Sequence, residues 1–100
     1  MAVAVPPGLT RFSFSIRPKD GSAHIHLQCD VDQIVIPEIG TSFGIDVDDD
    51  VTIEVRWVCV YPTNDPMVYV EGKTLTVETG AEAKDIARAA ERYGWKRIGR

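Results

Sequence analysis

The sequence predicts an α+β fold, a curved antiparallel sheet or small β-sandwich of about 5–7 strands with one C-terminal helix over roughly residues 80–93. Three observations predict it. Val51 to Tyr61 reads VTIEVRWVCVY, with Val51, Ile53, Val55, Trp57, Cys59 and Tyr61 on one parity against Thr52, Glu54 and Arg56, the period of a half-buried strand. Two further alternating runs flank Asp20-Gly21, an Asp-Gly pair suited to a hairpin turn. Beyond Thr79 the apolar period changes from two to that of a helix, between a capping signal and a glycine stop.

In the first run Phe12, Phe14 and Ile16 alternate with Arg11, Ser13, Ser15 and Arg17. In the second, Ile25, Leu27 and Cys29 oppose His24, His26, Gln28 and Asp30. A type I′ turn at Asp20-Gly21 needs positive φ at both residues and pairs Ile16 with Ile25, Phe14 with Leu27, Phe12 with Cys29, Arg11 with Asp30 and Ser15 with His26. A four-residue loop, Pro18 to Gly21, shifts the pairing by two and keeps the same faces. The consecutive apolar residues Ile34, Val35 and Ile36 break the alternation, and Pro37 ends the run.

Pro37 to Ser42 is a connection, followed by a short strand, Phe43 to Val47, with Phe43, Ile45 and Val47 inward. Asp48-Asp49-Asp50 turns into the long strand, since Asp accepts from the backbone two residues on. Val58 and Val60 make the far end of that strand apolar on both faces. Trp57 to Tyr61 is therefore expected beneath a covering layer, with Trp57 in the core. Met67 to Glu78 reads as a hairpin with Gly72-Lys73 in a type II′ turn, pairing Val70 with Leu75, Val68 with Val77 and Tyr69 with Thr76.

Thr79 and Glu82 form a capping box for a helix from Gly80 to Tyr93, whose apolar stripe is Ala83, Ile86, Ala87, Ala90 and Tyr93. Glu82 and Asp85 near its start and Arg88 and Arg92 near its end complement the helix dipole. Gly94 supplies the left-handed stop, which lets Trp95 turn back and brings Trp95 to Ile98 against the sheet edge.

One hundred residues make one domain, 1–100, whose core needs neither metal nor disulfide. The 44% hydrophobic and 26% charged content is ordinary for a soluble globular protein and argues against disorder. MAVAVPPG lacks the basic start and long apolar stretch of a secretory signal, and no run approaches the ~20 apolar residues of a membrane span. A cytoplasmic protein is expected, with Cys29 and Cys59 reduced and on the inward parity of two strands.

The net charge of −4 conceals an asymmetry. Residues 1–80 carry five basic and twelve acidic side chains, while residues 81–100 carry six basic and three acidic. The body is acidic and the C-terminal segment basic.

Four constellations bear on function. The acidic hairpin tip, Asp46, Asp48, Asp49 and Asp50, with Glu54 and Arg56 on the adjoining outer face, offers carboxylates to a basic partner. It is not an EF-hand loop, because Val51 and Trp57 stand where glycine and a bidentate glutamate are required. His24 and His26 stand about 7 Å apart on one strand face, continued by Gln28 and Asp30, which makes His24, His26 and Asp30 a candidate metal or small-ligand site. Lys84, Arg88, Arg92 and Lys96 recur every four residues, followed by Arg97 and Arg100, a stripe able to touch phosphates. Asp85 and Glu91 interrupt it and no nucleic-acid-binding motif is present. Ser15 opposite His26 pairs a hydroxyl with a base, but an exposed hairpin face supplies neither a desolvated pocket nor oxyanion donors.

No phosphate loop, nucleophile elbow or cofactor motif is present, so no enzymatic activity and no cofactor are expected. In size and general character the chain resembles small accessory binding proteins: phage- or mobile-element-encoded inhibitors, toxin-neutralising immunity proteins and assembly adaptors. That resemblance implies a protein-binding module whose acidic tip engages a basic surface, such as one that otherwise binds nucleic acid. The alternatives from other classes are a metal- or small-ligand-binding protein centred on His24 and His26, and a homo-oligomeric assembly protein, a homodimer for instance, joined through an open strand edge or the basic helix.

Overall fold

A computed structural model of the chain describes residues 7–99; the readings of residues 1–6 and Arg100 fall outside the described residues. The architecture is α+β, a curled mixed sheet with one helix near the C-terminus. The strands are β1 (Leu9–Pro18), β2 (Ile25–Val31), β3 (Ser42–Asp46), β4 (Val51–Tyr61), β5 (Met67–Gly72), β6 (Leu75–Val77) and β7 (Lys96–Ile98), and the helix α1 (Gly80–Glu91) lies between β6 and β7. Sheet order is β3-β4-β5-β1-β2-β7, with β6 also against β1.

Strand β1 is central because both of its edges are used. On one side β2 pairs antiparallel in the expected register, Phe12 with Cys29, Phe14 with Leu27, Ser15 with His26 and Ile16 with Ile25. The connecting turn differs from the expected type I′. Among the two central residues only Gly21 has positive φ, 87°, and the loop widens because Asp20 is drawn to the helix. Its Oδ1 accepts the Ser22 amide at 2.9 Å and its Oδ2 the Gly80 amide at 2.9 Å. Hydrogen bonding from Ser22 and then Gly80 holds the Asp20 carboxyl below its ordinary pKa.

The other edge of β1 corrects the reading of Met67 to Glu78 as a hairpin. Strands β5 and β6 do not pair with each other. Both run parallel to β1, Leu9 to Ser13 against Met67 to Glu71 and Ile16 to Pro18 against Leu75 to Val77. They form one line along β1, interrupted where the Lys73 amide donates instead to the Glu54 carbonyl at 2.8 Å. Gly72 is no turn residue. It pairs with Val55, and the space a side chain would need is filled by Ile53 and Phe43.

A bulge in β4 causes the second correction. Val55 pairs with Gly72 but Trp57 already pairs with Glu71, so Arg56 is the extra residue and every later side chain changes face. Val58 and Val60 turn to the concave side, opposite Val70 and Val68. Trp57 is 46% exposed, outside the core, Cys59 and Tyr61 join it on the convex face beside Tyr69 and Met67, and with Val60 45% and Tyr61 46% exposed this end of β4 lacks the covering layer expected there. A similar irregularity between Gly44 and Asp46 buries Asp46 and leaves Val47 78% exposed, contrary to the inward placement expected for Val47.

The concave face is closed by α1 and by the chain leaving β2. Phe14, Ile16, Leu27, Ile45, Ile53 and Val77 pack against Ala83, Ala87, Ala90 and Trp95. The alanines permit close approach of helix to sheet, as their spacing predicts. The Thr79 hydroxyl accepts the Glu82 amide at 3.1 Å, while the Glu82 carboxylate reaches the Glu78 amide rather than that of Thr79. At the other end the Trp95 amide donates to the Ala90 carbonyl and the Gly94 amide to that of Glu91, with Gly94 at φ 93°, a Schellman stop. The helix therefore ends short of Tyr93, which stays largely exposed. Trp95 folds back into the core, leading β7 onto the edge of β2.

A second cluster, Val55, Val68 and Val70 with Phe12, Ile34 and Val58, lies under the β2–β3 connection. Fully buried Thr10 anchors that connection, donating to the Gln33 carbonyl at 2.7 Å and accepting the Val35 amide at 2.8 Å. Thr10→Val keeps the shape and strands both partners, so it is expected to cost about 1–2 kcal/mol, read as a lower urea midpoint at unchanged slope. An unchanged midpoint would contradict the anchoring role.

Candidate binding cleft beneath the acidic hairpin

The curl of the sheet leaves a cleft of about 420 Å³ between the β3–β4 hairpin, the end of β2 and the turn after α1. That volume lies in the roughly 300–1,000 Å³ range of sites that take a small molecule or a large side chain. Phe12, Phe43, Ile45 and Trp95 supply its apolar wall, Cys29 and Val31 its β2 side, and Asp46, Asp50 and Tyr93 its rim. Trp95 is the keystone, packed edge-on to Phe14 with centroids 5.1 Å apart and stacked on Phe43 at 5.6 Å.

The rim joins two of the sequence-predicted residues to apolar surface. Asp46 is only 6% exposed. Its Oδ1 accepts the Asp48 amide at 3.0 Å, which fixes the turn. No described residue donates to its Oδ2, and the residue lies in the lining of the cleft. Asp50 holds φ 52°, a left-handed conformation that Asp tolerates, and its side chain borders the cleft. Across the mouth, the nearby Asp48 carboxylate, then burial, then the Asp46 charge push the pKa of the Tyr93 phenol up from its ordinary value. Asp49 is exposed at the tip.

Glu54 and Arg56 are not part of this rim. Glu54 pairs with Lys73, and Arg56 with Glu71 at 2.7 Å, so both are engaged along β4 and β5. Exposed pairs of this kind contribute little to stability.

His24 and His26 stand together, ring centroids 6.5 Å apart, but His26 Nδ1 is hydrogen-bonded to the Ser15 hydroxyl at 2.8 Å. Both Asp30 oxygens are held by Arg11, at 2.8 and 3.0 Å, and that hydrogen bonding lowers the carboxyl's pKa. Among the described residues no three of His, Cys, Asp or Glu gather as metal ligands. The Ser15–His26 pair exists as the register predicts, on an open face where no described carboxylate bonds the second ring nitrogen.

The basic stripe is broken. Lys84, Arg88 and Arg92 belong to the helix and its cap, whereas Lys96 stands on β7 opposite Gln28. Arg88 lies 3.6 Å from Asp85, and Arg97 bonds Glu91 at 3.3 Å. Alternating signs there resemble a solvated helix surface more than a phosphate track. No helix among the described residues is long and apolar enough to cross a membrane.

Sequence reasoning missed two features. The cleft is built from segments far apart in the chain. The convex face carries Trp57, Tyr61 and Tyr69, with Tyr61 edge-on to Tyr69 at 5.6 Å and Arg11 5.9 Å over the Tyr69 ring. The only hint of the latter was the apolar character of Val58 and Val60 on the opposite parity.

Cys29 gives the cleft a reporter. Burial, and then the Asp30 charge, push its thiol pKa up from the ordinary value. Less thiolate is present at any given pH, so in a Cys59→Ser variant iodoacetamide is expected to label Cys29 more slowly than in urea, with the pH profile displaced upward. Labelling as fast as in the unfolded chain, read by intact mass, would contradict that placement.

Comparisons with protein-family models, with curated proteins and with solved structures find no match to this chain.

Proposed function

We propose that the protein is a binding module for another protein, and that it receives a basic, apolar segment in the cleft beneath the acidic hairpin. A large apolar side chain of the partner fills the space beside Trp95, and flanking lysine or arginine groups meet Asp46, Asp48 and Asp50. One observation carries this reading: the acidic turn is not merely solvated, since it borders an apolar cleft and contributes to its lining an aspartate, Asp46, that is only 6% exposed. Charge at the rim attracts and orients, while apolar burial supplies most of the affinity. An inhibitor or immunity-type role is one setting for such a module.

A selection from a random peptide display library tests it. Enriched peptides are expected to combine a large apolar residue with neighbouring lysine or arginine, and to lose binding to an Asp48→Lys, Asp49→Lys, Asp50→Lys protein that unfolds at the same urea concentration. Enrichment of neutral or acidic peptides, or retention by the charge-reversed protein, would overturn the reading.

A further inference from the structure

The outer edge of β3 runs along this same cleft, and among the described residues β3 is the last strand of the sheet, paired only with β4. Its backbone polarity follows from the ladder. The Val55 amide donates to the Thr41 carbonyl at 2.7 Å, and the register continues through Ser42 with Glu54, Phe43 with Ile53 and Gly44 with Thr52. In an antiparallel pair, bonded and non-bonded positions alternate. Phe43 therefore bonds towards β4, while the amides and carbonyls of Ser42 and Gly44 point away from it. The opposite side of the ladder agrees, because the Glu54 carbonyl, at the position facing Ser42, turns away from β3 to accept the Lys73 amide. Among the described residues, no backbone hydrogen bond outside the strand ladders involves Ser42 to Asp46. Ser42 and Gly44 are exposed, and nothing lies within 4 Å of where a Gly44 side chain would begin.

Resting on the cleft reading above, we infer that the partner segment binds in extended form, as an additional strand on the free edge of β3. Ser42 and Gly44 supply its main-chain hydrogen bonds, the mode by which an open sheet edge captures a peptide. Successive side chains of a strand point to opposite faces, so alternate residues of the peptide enter the cleft beside Phe43 and Trp95, and basic residues between them face outward in the field of the exposed Asp48-Asp49 turn that follows β3. The complementary sequence alternates apolar and basic residues. A second copy of this chain is a poor occupant, because its β3, Ser42–Asp46, brings no basic residue to the acidic turn.

The probe is the blocked heptapeptide Lys-Val-Lys-Leu-Lys-Val-Lys, with a version N-methylated at alternate residues and a Gly44→Pro protein. Proline at this position removes an edge donor that the fold does not use. Binding is followed by amide NMR. The unmodified peptide is expected to shift and protect the Ser42 and Gly44 amides, and both N-methylation and Gly44→Pro are expected to weaken it roughly tenfold, as loss of backbone hydrogen bonds requires. N-methylation reports on the wild-type protein even if the proline variant folds poorly. Binding indifferent to both changes but lost on reversing the Asp48–Asp50 charges would overturn strand addition and leave the cleft reading standing. Failure of this peptide where library-selected peptides bind would do the same, and failure of all of them would overturn both. Self-association on concentration, with the Gly44 amide protected in the absence of peptide, would overturn the assignment of the edge to a partner.

Discussion

Replacing Trp95 with alanine is expected to lower stability by about 3–5 kcal/mol, the range for truncating a buried large aromatic. Trp57→Ala is expected to cost less than about 1 kcal/mol. The contrast follows from position alone. Trp95 is 6% exposed, wedged between Phe14 and Phe43 where sheet, helix and cleft meet, whereas Trp57 is 46% exposed on the convex face. Because a domain of this size has only about 5–15 kcal/mol of net stability, the first change brings it close to unfolding. Urea denaturation of the two variants checks the order, and a larger loss for Trp57 would contradict the β4 bulge.

Gly72→Ala is the second large effect, about 2–3 kcal/mol at the upper end of the cost of overpacking a core. The new methyl group would meet Ile53 in the core and come within 2.9 Å of the Cζ of Phe43, which lines the cleft. If Gly72-Lys73 were a type II′ turn at an exposed hairpin tip, alanine there would report backbone strain only. Ile53→Ala in the same protein separates the two, since a void beside residue 72 relieves crowding but not strain. Partial rescue of the urea midpoint, relative to the cost of Ile53→Ala alone, is the expected result, and strictly additive losses would contradict the close approach.

Legibility in the sequence followed the range of the interaction. The pairing of β1 with β2 and the faces they bury were readable because two alternating runs and a short connection bring Phe12, Phe14, Ile16, Leu27 and Cys29 together, but a shift by two would keep the same faces, and the register is decided by the structure. The helix, its Thr79 cap and its Gly94 stop were equally local, and Trp95 folds back as that stop requires. What escaped detection was nonlocal. The same alternation of Val68, Val70, Leu75 and Val77 suits a hairpin and a broken strand parallel to β1, and only the neighbours of Gly72 decide between them. The bulge at Arg56 leaves no mark on composition, yet by one residue it exchanges Trp57, Cys59 and Tyr61 for Val58 and Val60 on the concave side.

The candidate site was legible only in part. Asp46, Asp48, Asp49 and Asp50 were recognisable as a charged turn, and the structure places Asp46 and Asp50 at a rim. Cys29, Phe43 and Trp95, which give that rim something to close, carry no signal of their own, because they come from separate strands and from the turn after the helix. Glu54 and Arg56 were grouped with the tip by proximity along β4, but their ion pairs with Lys73 and Glu71 tie them to the neighbouring strands instead.

Titrating the isotope-labelled protein with a library-selected peptide, and mapping the amide shifts by residue, tests the central claim most directly. The largest shifts are expected over Phe43 to Val51, Cys29 to Val31 and Tyr93 to Trp95, the three segments around the cleft. Shifts concentrated on Trp57, Cys59, Tyr61 and Tyr69, with the cleft amides unmoved, would place binding on the convex face and contradict it.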